Sequence, residues 1–237
     1  MVNGGLVPYR LLNRYKAPLK LDGRRLVLRS LVVADYEACR EVRARNRDWQ
    51  AIGGTGQDER GDRASFALSC ARQTRWRRLG SNFGFGIFLS DRFVGEIGLR
   101  SIERGPVQSA EIGLWVDQEL AGQRLGPEAV MVLVQFAFDV LGLHRLQFLT
   151  TTSNTASRRM GDKFGFRFEG TFERYLCVRG VWEDCLVSAV TAEEWAERRG
   201  ALLGAWLAPT ASAGDRVTGG FGVAEAPPAE PTVVRSS

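Results

Sequence analysis

The stretch from residue 110 to 130 constrains the 237-residue chain more than any other. Ala110-Glu-Ile-Gly-Leu-Trp-Val116 reads as a strand, and Ala121-Gly-Gln-Arg-Leu-Gly126 as a loop of small and polar residues. Pro127-Glu-Ala-Val130 then opens a helix, whose apolar residues recur at Val130, Leu133, Val134, Ala137, Val140 and Leu141. A loop of this kind entering a helix presents unpaired backbone N–H groups and a partial positive charge. Those are the requirements of a pyrophosphate site. By itself the same pattern also fits a loop that merely turns the chain.

The elements around it alternate between helical and strand periods. A short strand, Leu26-Val-Leu-Arg29, precedes a helix over 34–46 opened near Asp35. Gly53-Gly-Thr-Gly56 breaks the chain, and a strongly basic helix follows over 62–78. Strands at 83–90 and 93–101 flank a hairpin signal at Asp91-Arg92, and Gly105-Pro106 marks a longer turn. Beyond the central helix come a strand over 144–151 and a short helix over 154–164 closed by Gly165. A hairpin of 166–178 and 181–190 turns at Arg179-Gly180, and Thr191-Ala-Glu-Glu194 starts a last helix as a capping box. The order β-α-α-β-β-β-α-β-α-β-β predicts one α/β domain with a mixed sheet over 19–200. An N-terminal arm is expected over 1–18, and a disordered Ala/Gly/Pro-rich tail over 208–237.

Composition narrows the function. Hydrophobic residues make up 44% of the chain, enough for a sizeable core, and no run of 18 apolar residues exists to cross a membrane. The first ten residues lack the apolar stretch of a secretory signal, so a cytoplasmic protein is expected. Cys39, Cys70, Cys177 and Cys185 form no CxxC pair and His144 is the one histidine, so no metal site is expected. The thiols read as free and mostly buried, and His144 as a structural residue. The net charge of +5 is uneven: residues 1–78 hold 17 Lys and Arg against 8 Asp and Glu, whereas residues 79–195 hold 11 against 15. The basic third would attract a phosphorylated cofactor, RNA or an acidic peptide, unless it is simply a solvated helical face. Aromatic residues do not interleave with the arginines, which argues against a base-stacking surface.

Several ordered motifs together resemble the GNAT acyltransferase superfamily, and within it the RimJ/RimL-like N-acetyltransferases. They are Leu26-Val-Leu-Arg29, Phe93-Val-Gly-Glu-Ile-Gly98, Ala110 to Val116, the loop, Leu141-Gly-Leu-His-Arg145, Asn154-Thr-Ala-Ser157, Lys163-Phe-Gly-Phe166 with Glu169-Gly170, and Trp182. The resemblance spans about residues 20–195. It implies a mixed sheet splayed into a V that holds acetyl-CoA. The pantetheine arm would pair with Leu114, Trp115 and Val116, and the pyrophosphate would sit on the stretch Gln123, Arg124, Leu125, Gly126, Pro127 and Glu128, meeting its backbone N–H groups where they exist. The family loop is usually Arg/Gln-x-x-Gly-x-Gly/Ala. Here Ala121 takes the first position, Arg124 replaces the middle glycine, and Pro127 lacks an N–H.

The same resemblance implies Glu111 as general base, with Glu96 a weaker candidate. It implies Asn154 as a pantetheine contact and Ser157 as proton donor to the leaving thiol. Trp49 and Tyr175 would line the acceptor pocket. The glutamate that some relatives carry in the strand after the short helix falls on Leu176, and Glu173 is three residues earlier. For each polar residue the plain alternative is structural: Glu111 paired with an arginine, Asn154 as a helix cap with Ser157 in the first turn. The implied reaction is acetyl transfer from acetyl-CoA to a primary amine by direct attack in a ternary complex. The first-choice acceptor is the N-terminal α-amine of a protein, of ribosomal-protein type. The alternatives are a small amine (polyamine, amino acid or antibiotic) and a non-catalytic CoA-binding or interaction module. No membrane partner is expected; ribosome association and a homodimer are open.

Overall fold

The computed structural model describes residues 15, 17–47 and 61–207. Its eight strands are β1 (Lys20–Asp22), β2 (Leu26–Arg29), β3 (Phe83–Leu89), β4 (Arg92–Glu103), β5 (Ser109–Val116), β6 (Arg145–Thr151), β7 (Arg167–Val178) and β8 (Val181–Thr191). The helices are α1 (Tyr36–Arg45), α2 (Arg63–Leu79), α3 (Leu125–Gln135), α4 (Thr155–Lys163) and α5 (Ala192–Trp206). Among the described residues no helix is long and apolar enough to cross a membrane.

Local chemistry sets most element ends. Asp62 caps α2 by accepting the Ser65 N–H at 2.7 Å, and Gly80 ends it in the left-handed region. Thr191 and Glu194 form the expected capping box of α5. Arg179 and Gly180 both take positive φ, the geometry that matches the twist of the β7–β8 hairpin. The β3–β4 turn lies one residue earlier than expected. Ser90 and Asp91 carry the positive φ angles, which frees Arg92 to pair with Leu89.

The strands form one sheet in the order β1-β2-β3-β4-β5-β6-β8-β7, antiparallel except between β5 and β6. Strand β1 went unread in the sequence because three residues with one buried side chain, Leu21, show no period. One face carries the larger core, where Ile97, Leu99, Ile112, Leu146 and Phe148 pack with α3 and with Trp195 of α5. The other carries Phe88, Phe93 and Trp115 against Cys39 and Val42 of α1 and Phe66 of α2. Helix α3 is buried from Glu128 to Gln135 on all sides rather than along one stripe, and it widens into a π-helical turn, Phe136–Val140.

Three expectations about the periphery change. Helix α5 runs past residue 200 to Trp206, because Leu202, Leu203 and Trp206 pack on the main core. Tyr15, placed in the arm, is buried edge-on against Phe83 at 5.2 Å. The basic third is not only a solvated face: Arg43 pairs with Glu96, Arg45 with Asp117, and Arg77 is buried, donating to the Tyr15 carbonyl and the Ser30 hydroxyl. Of the cysteines only Cys39 and Cys185 are fully buried; Cys70 is half-buried and Cys177 exposed. His144 is exposed, with its Nε2 3.2 Å from a Glu193 carboxylate oxygen.

Two pairings shape the middle of the sheet. Strand β5 pairs with β4 as far as Val116, but with β6 only from Ser109–Arg145 to Ile112–Phe148. Past that point β6 turns to β8 alone, and the sheet opens into a V. At the β4 side Gly95 approaches so closely that a Cβ would stand 2.3 Å from the Trp115 carbonyl oxygen, at a φ of 155°. Gly95→Ala is therefore expected to push β4 off β5 and destabilise the fold by about 2–3 kcal/mol, read as a lowered urea midpoint at unchanged slope.

Candidate active site

The V opens towards the start of α3. Beyond Ile112 the backbone of Gly113 to Val116 has its ladder partner on β4 only. The first turn of α3 leaves the N–H groups of Leu125 and Gly126 without an intrahelical acceptor. The expected window is narrower than drawn from the sequence. The Gln123 N–H bonds the Leu120 carbonyl and the Glu128 N–H bonds the Arg124 carbonyl, both at 3.3 Å, and Pro127 has none to give. Arg124 sits at the N-cap with φ 62°, so it adopts the left-handed backbone that glycine reaches without cost. Its side chain is exposed and makes no ion pair with any described residue. The missing Cβ of Gly126 faces Leu114, Val116 and Met160 at 3.6–3.9 Å, so both arms of the V converge there.

Glu128 plays a different part from the one expected. Its carboxylate is buried and accepts the Arg25 N–H at 2.6 Å, the Arg25 Nε at 2.8 Å and the Leu26 N–H at 3.2 Å. Arg25 reaches on to the Gln123 carbonyl at 3.0 Å, so the loop is strapped to β2. A second brace holds its other end. Asp117, buried just after β5, accepts from the Arg45 guanidinium and from Asn46 Nδ2 at 2.8 Å, while Asn46 Oδ1 accepts the Gln118 N–H at 2.8 Å. Burial pushes the Asp117 carboxyl up, but the hydrogen bonds from Arg45, Asn46 and the Glu119 N–H outweigh it and hold it below the usual carboxylate range.

The expected catalytic groups flank the point where the strands part. Glu111 pairs across to Arg100 on β4 and Gln147 on β6, on the face covered by α1 and α2, and Arg100 Nη2 donates to it at 2.9 Å. Glu96 shares that face and is held by Arg43 at 2.7 Å. Asn154 caps α4, accepting the Ser157 N–H at 3.1 Å, which leaves its amide NH2 for a ligand. Ser157 is half-buried one turn before Met160, so both lie on the side of α4 that meets Gly126. Trp115 offers only its backbone, its ring being buried against Phe93. Tyr175 is half-exposed on β7, its ring 4.9 Å from that of Phe172. Trp49 lies outside the described residues.

Sequence reasoning passed over Thr150. Its Oγ1 is buried, with no hydrogen-bond partner among the described residues, on β6 beyond the parting of the strands. The signal was available: Leu146, Phe148 and Thr150 share one face, and the third is polar where the pattern calls for an apolar residue. An orphan hydroxyl on one arm, unpaired backbone on the other and free N–H groups at the mouth suit a thin, amide-bearing chain that ends in phosphates.

Residues 25–167 match the acetyltransferase (GNAT) domain family. The chain is 32% identical over 177 residues to the probable N-acetyltransferase YjcK of Bacillus subtilis (strain 168), covering 72% of this chain and 96% of that one. It is 26% identical over 126 residues to the ribosomal protein uS5-alanine N-acetyltransferase of Escherichia coli (strain K12), covering 52% of this chain and 65% of that enzyme. Among solved structures it superposes on Mycobacterium smegmatis RimJ in complex with CoA-disulfide with a TM-score of 0.72 and 29% identity, over 81% of this chain and 95% of that one.

Proposed function

The chain belongs to the GNAT acetyltransferase family and is an N-acetyltransferase, and from this we propose that it acetylates the N-terminal α-amine of a protein, of ribosomal-protein type, with acetyl-CoA as donor. The observation that carries this reading is the parting of β5 and β6 directly beneath the unpaired N–H groups of α3. Acetyl-CoA supplies a thioester. Its pantetheine amides would complete the open edge of Leu114 to Val116, with Thr150 and the Asn154 NH2 on the facing arm. The phosphates would meet the Leu125 and Gly126 N–H groups and the Arg124 guanidinium.

The acceptor enters from the opposite face, where Glu111 stands at the apex of the V. Its amine attacks the thioester carbon; the N–C bond forms and the C–S bond breaks. Glu111, directly or through a water, takes the proton that nitrogen must lose, and the Ser157 hydroxyl supplies one to the departing sulfur. An α-amine with a pKa of about 8 asks only a modest base.

Incubation with acetyl-CoA and a panel of peptides, read by mass spectrometry, tests the acceptor. One acetyl on the α-nitrogen, with lysine side chains spared, is the expected result. Transfer confined to polyamines or other small amines would overturn it.

Arg124 allows a separate check. Arg124→Gly is expected to relieve the left-handed backbone and raise stability by about 1 kcal/mol. It should also weaken acetyl-CoA binding by about tenfold through loss of a charge-assisted phosphate contact. Melting curves and calorimetry on the two proteins separate these effects. Tighter binding by the variant would mean that Arg124 obstructs the phosphates.

A further inference from the structure

The three carboxylates nearest the apex on the acceptor face are spoken for: Glu111 by Arg100, Glu96 by Arg43 and Asp117 by Arg45. A fourth is not. In the ladders, Glu111 lines up with Gln147 and Gln147 with Ala189, so the alternate residues Ala189, Val187 and Cys185 of β8 share the Glu111 face. Glu183 is the next in that series. It is half-buried, lies opposite Leu176 of β7, and makes no hydrogen bond or ion pair with any described residue.

The adjacent strand β7 carries two aromatic rings. Phe172 pairs with Cys185, which puts it on the same face, and the bulge between Phe172 and Leu176 brings the Tyr175 ring to 4.9 Å from the Phe172 ring. Both residues are about half-exposed, at 44% and 51%, on the outermost strand of the sheet. Cys185, fully buried, lies on this face between Glu183 and the Ala189 row that Glu111 joins, its thiol pushed up chiefly by burial. An unneutralised carboxylate with two exposed aromatic rings on the adjacent strand is a combination that receives a cation, through Coulomb attraction and ring quadrupoles together.

We infer that Glu183, Phe172 and Tyr175 form a second acceptor subsite that selects a positive charge a few bonds from the reacting amine. The inference rests on the reading that the acceptor enters on the Glu111 face, and it adds a specificity which that reading does not contain. In a protein substrate the charge would be a lysine or arginine next to the N-terminal residue.

The test uses peptides identical except for Arg, Gln or Glu at the second position, assayed with the full-length protein and with Glu183→Gln and Glu183→Arg. Wild type is expected to prefer Arg over Gln by about tenfold in kcat/KM. Glu183→Gln should level the series, and Glu183→Arg should favour the Glu peptide, with kcat on the Gln peptide little changed in either variant. The same ranking in all three proteins would overturn the subsite. Diamines and monoamines of matched length are assayed in parallel. If peptides are refused but diamines are accepted with the same dependence on Glu183, the N-terminal reading fails and the subsite stands.

Discussion

Glu111→Gln is expected to lower kcat for acetyl transfer by about 10²–10³-fold, the range in which a positioned general base acts. Glutamine keeps an oxygen to accept from Arg100, so the bridge between β4 and β5 survives in neutral form and the apex of the V keeps its shape. KM for acetyl-CoA should hold, because Glu111 faces α1 and α2 rather than α3. The pH profile separates a base from a strut. With the base removed, the rate follows the fraction of free amine and climbs tenfold per pH unit up to about pH 8. A purely structural Glu111 would instead show a lower melting temperature and an unchanged profile.

Asp117→Asn should produce the largest loss of stability, about 3 kcal/mol, because it leaves the Arg45 guanidinium facing an amide where a buried carboxylate stood. The acid behaviour of the wild type follows from the same group. Its pKa in the folded chain lies below the unfolded value, so its contribution is complete above about pH 4 and is lost as pH falls through the depressed folded value. The Asp35 carboxyl behaves alike: burial pushes it up, and hydrogen bonds from Arg29 and the Val32 N–H hold it down. Urea unfolding at a series of pH values should therefore show a steep acid decline in the wild type and a shallower one in Asp117→Asn. Equal slopes would mean that the brace carries no linked proton.

The elements were largely legible in the sequence, because each is announced by neighbours in the chain. Asp62 and Gly80 bracket α2, and Thr191 with Glu194 opens α5. What stayed hidden joins residues far apart. Glu128 read as one more member of a phosphate loop, yet its carboxylate serves residues 102 and 103 positions away. Asp117 and Asn46, 71 positions apart, meet only once α1 lies across the end of β5. Neither partner carries a local signal of the other. Glu183 escaped for another reason: its face depends on β8 pairing with β6, and no hairpin turn sets that register.

Among the described residues, β5 and β6 share four ladder pairs, from Ser109–Arg145 to Ile112–Phe148, and this short seam joins the two halves of the sheet. Above it a donor lying in the V would act as the missing strand, its amides reading main chain rather than side chains. Recognition of this kind is nearly silent in sequence, since Leu114, Trp115 and Val116 contribute their peptide groups whatever their side chains. It also makes the donor a structural member: with acetyl-CoA in place, amide exchange should slow along both arms of the V, tying the half-sheet of β6, β7 and β8 more firmly to the rest.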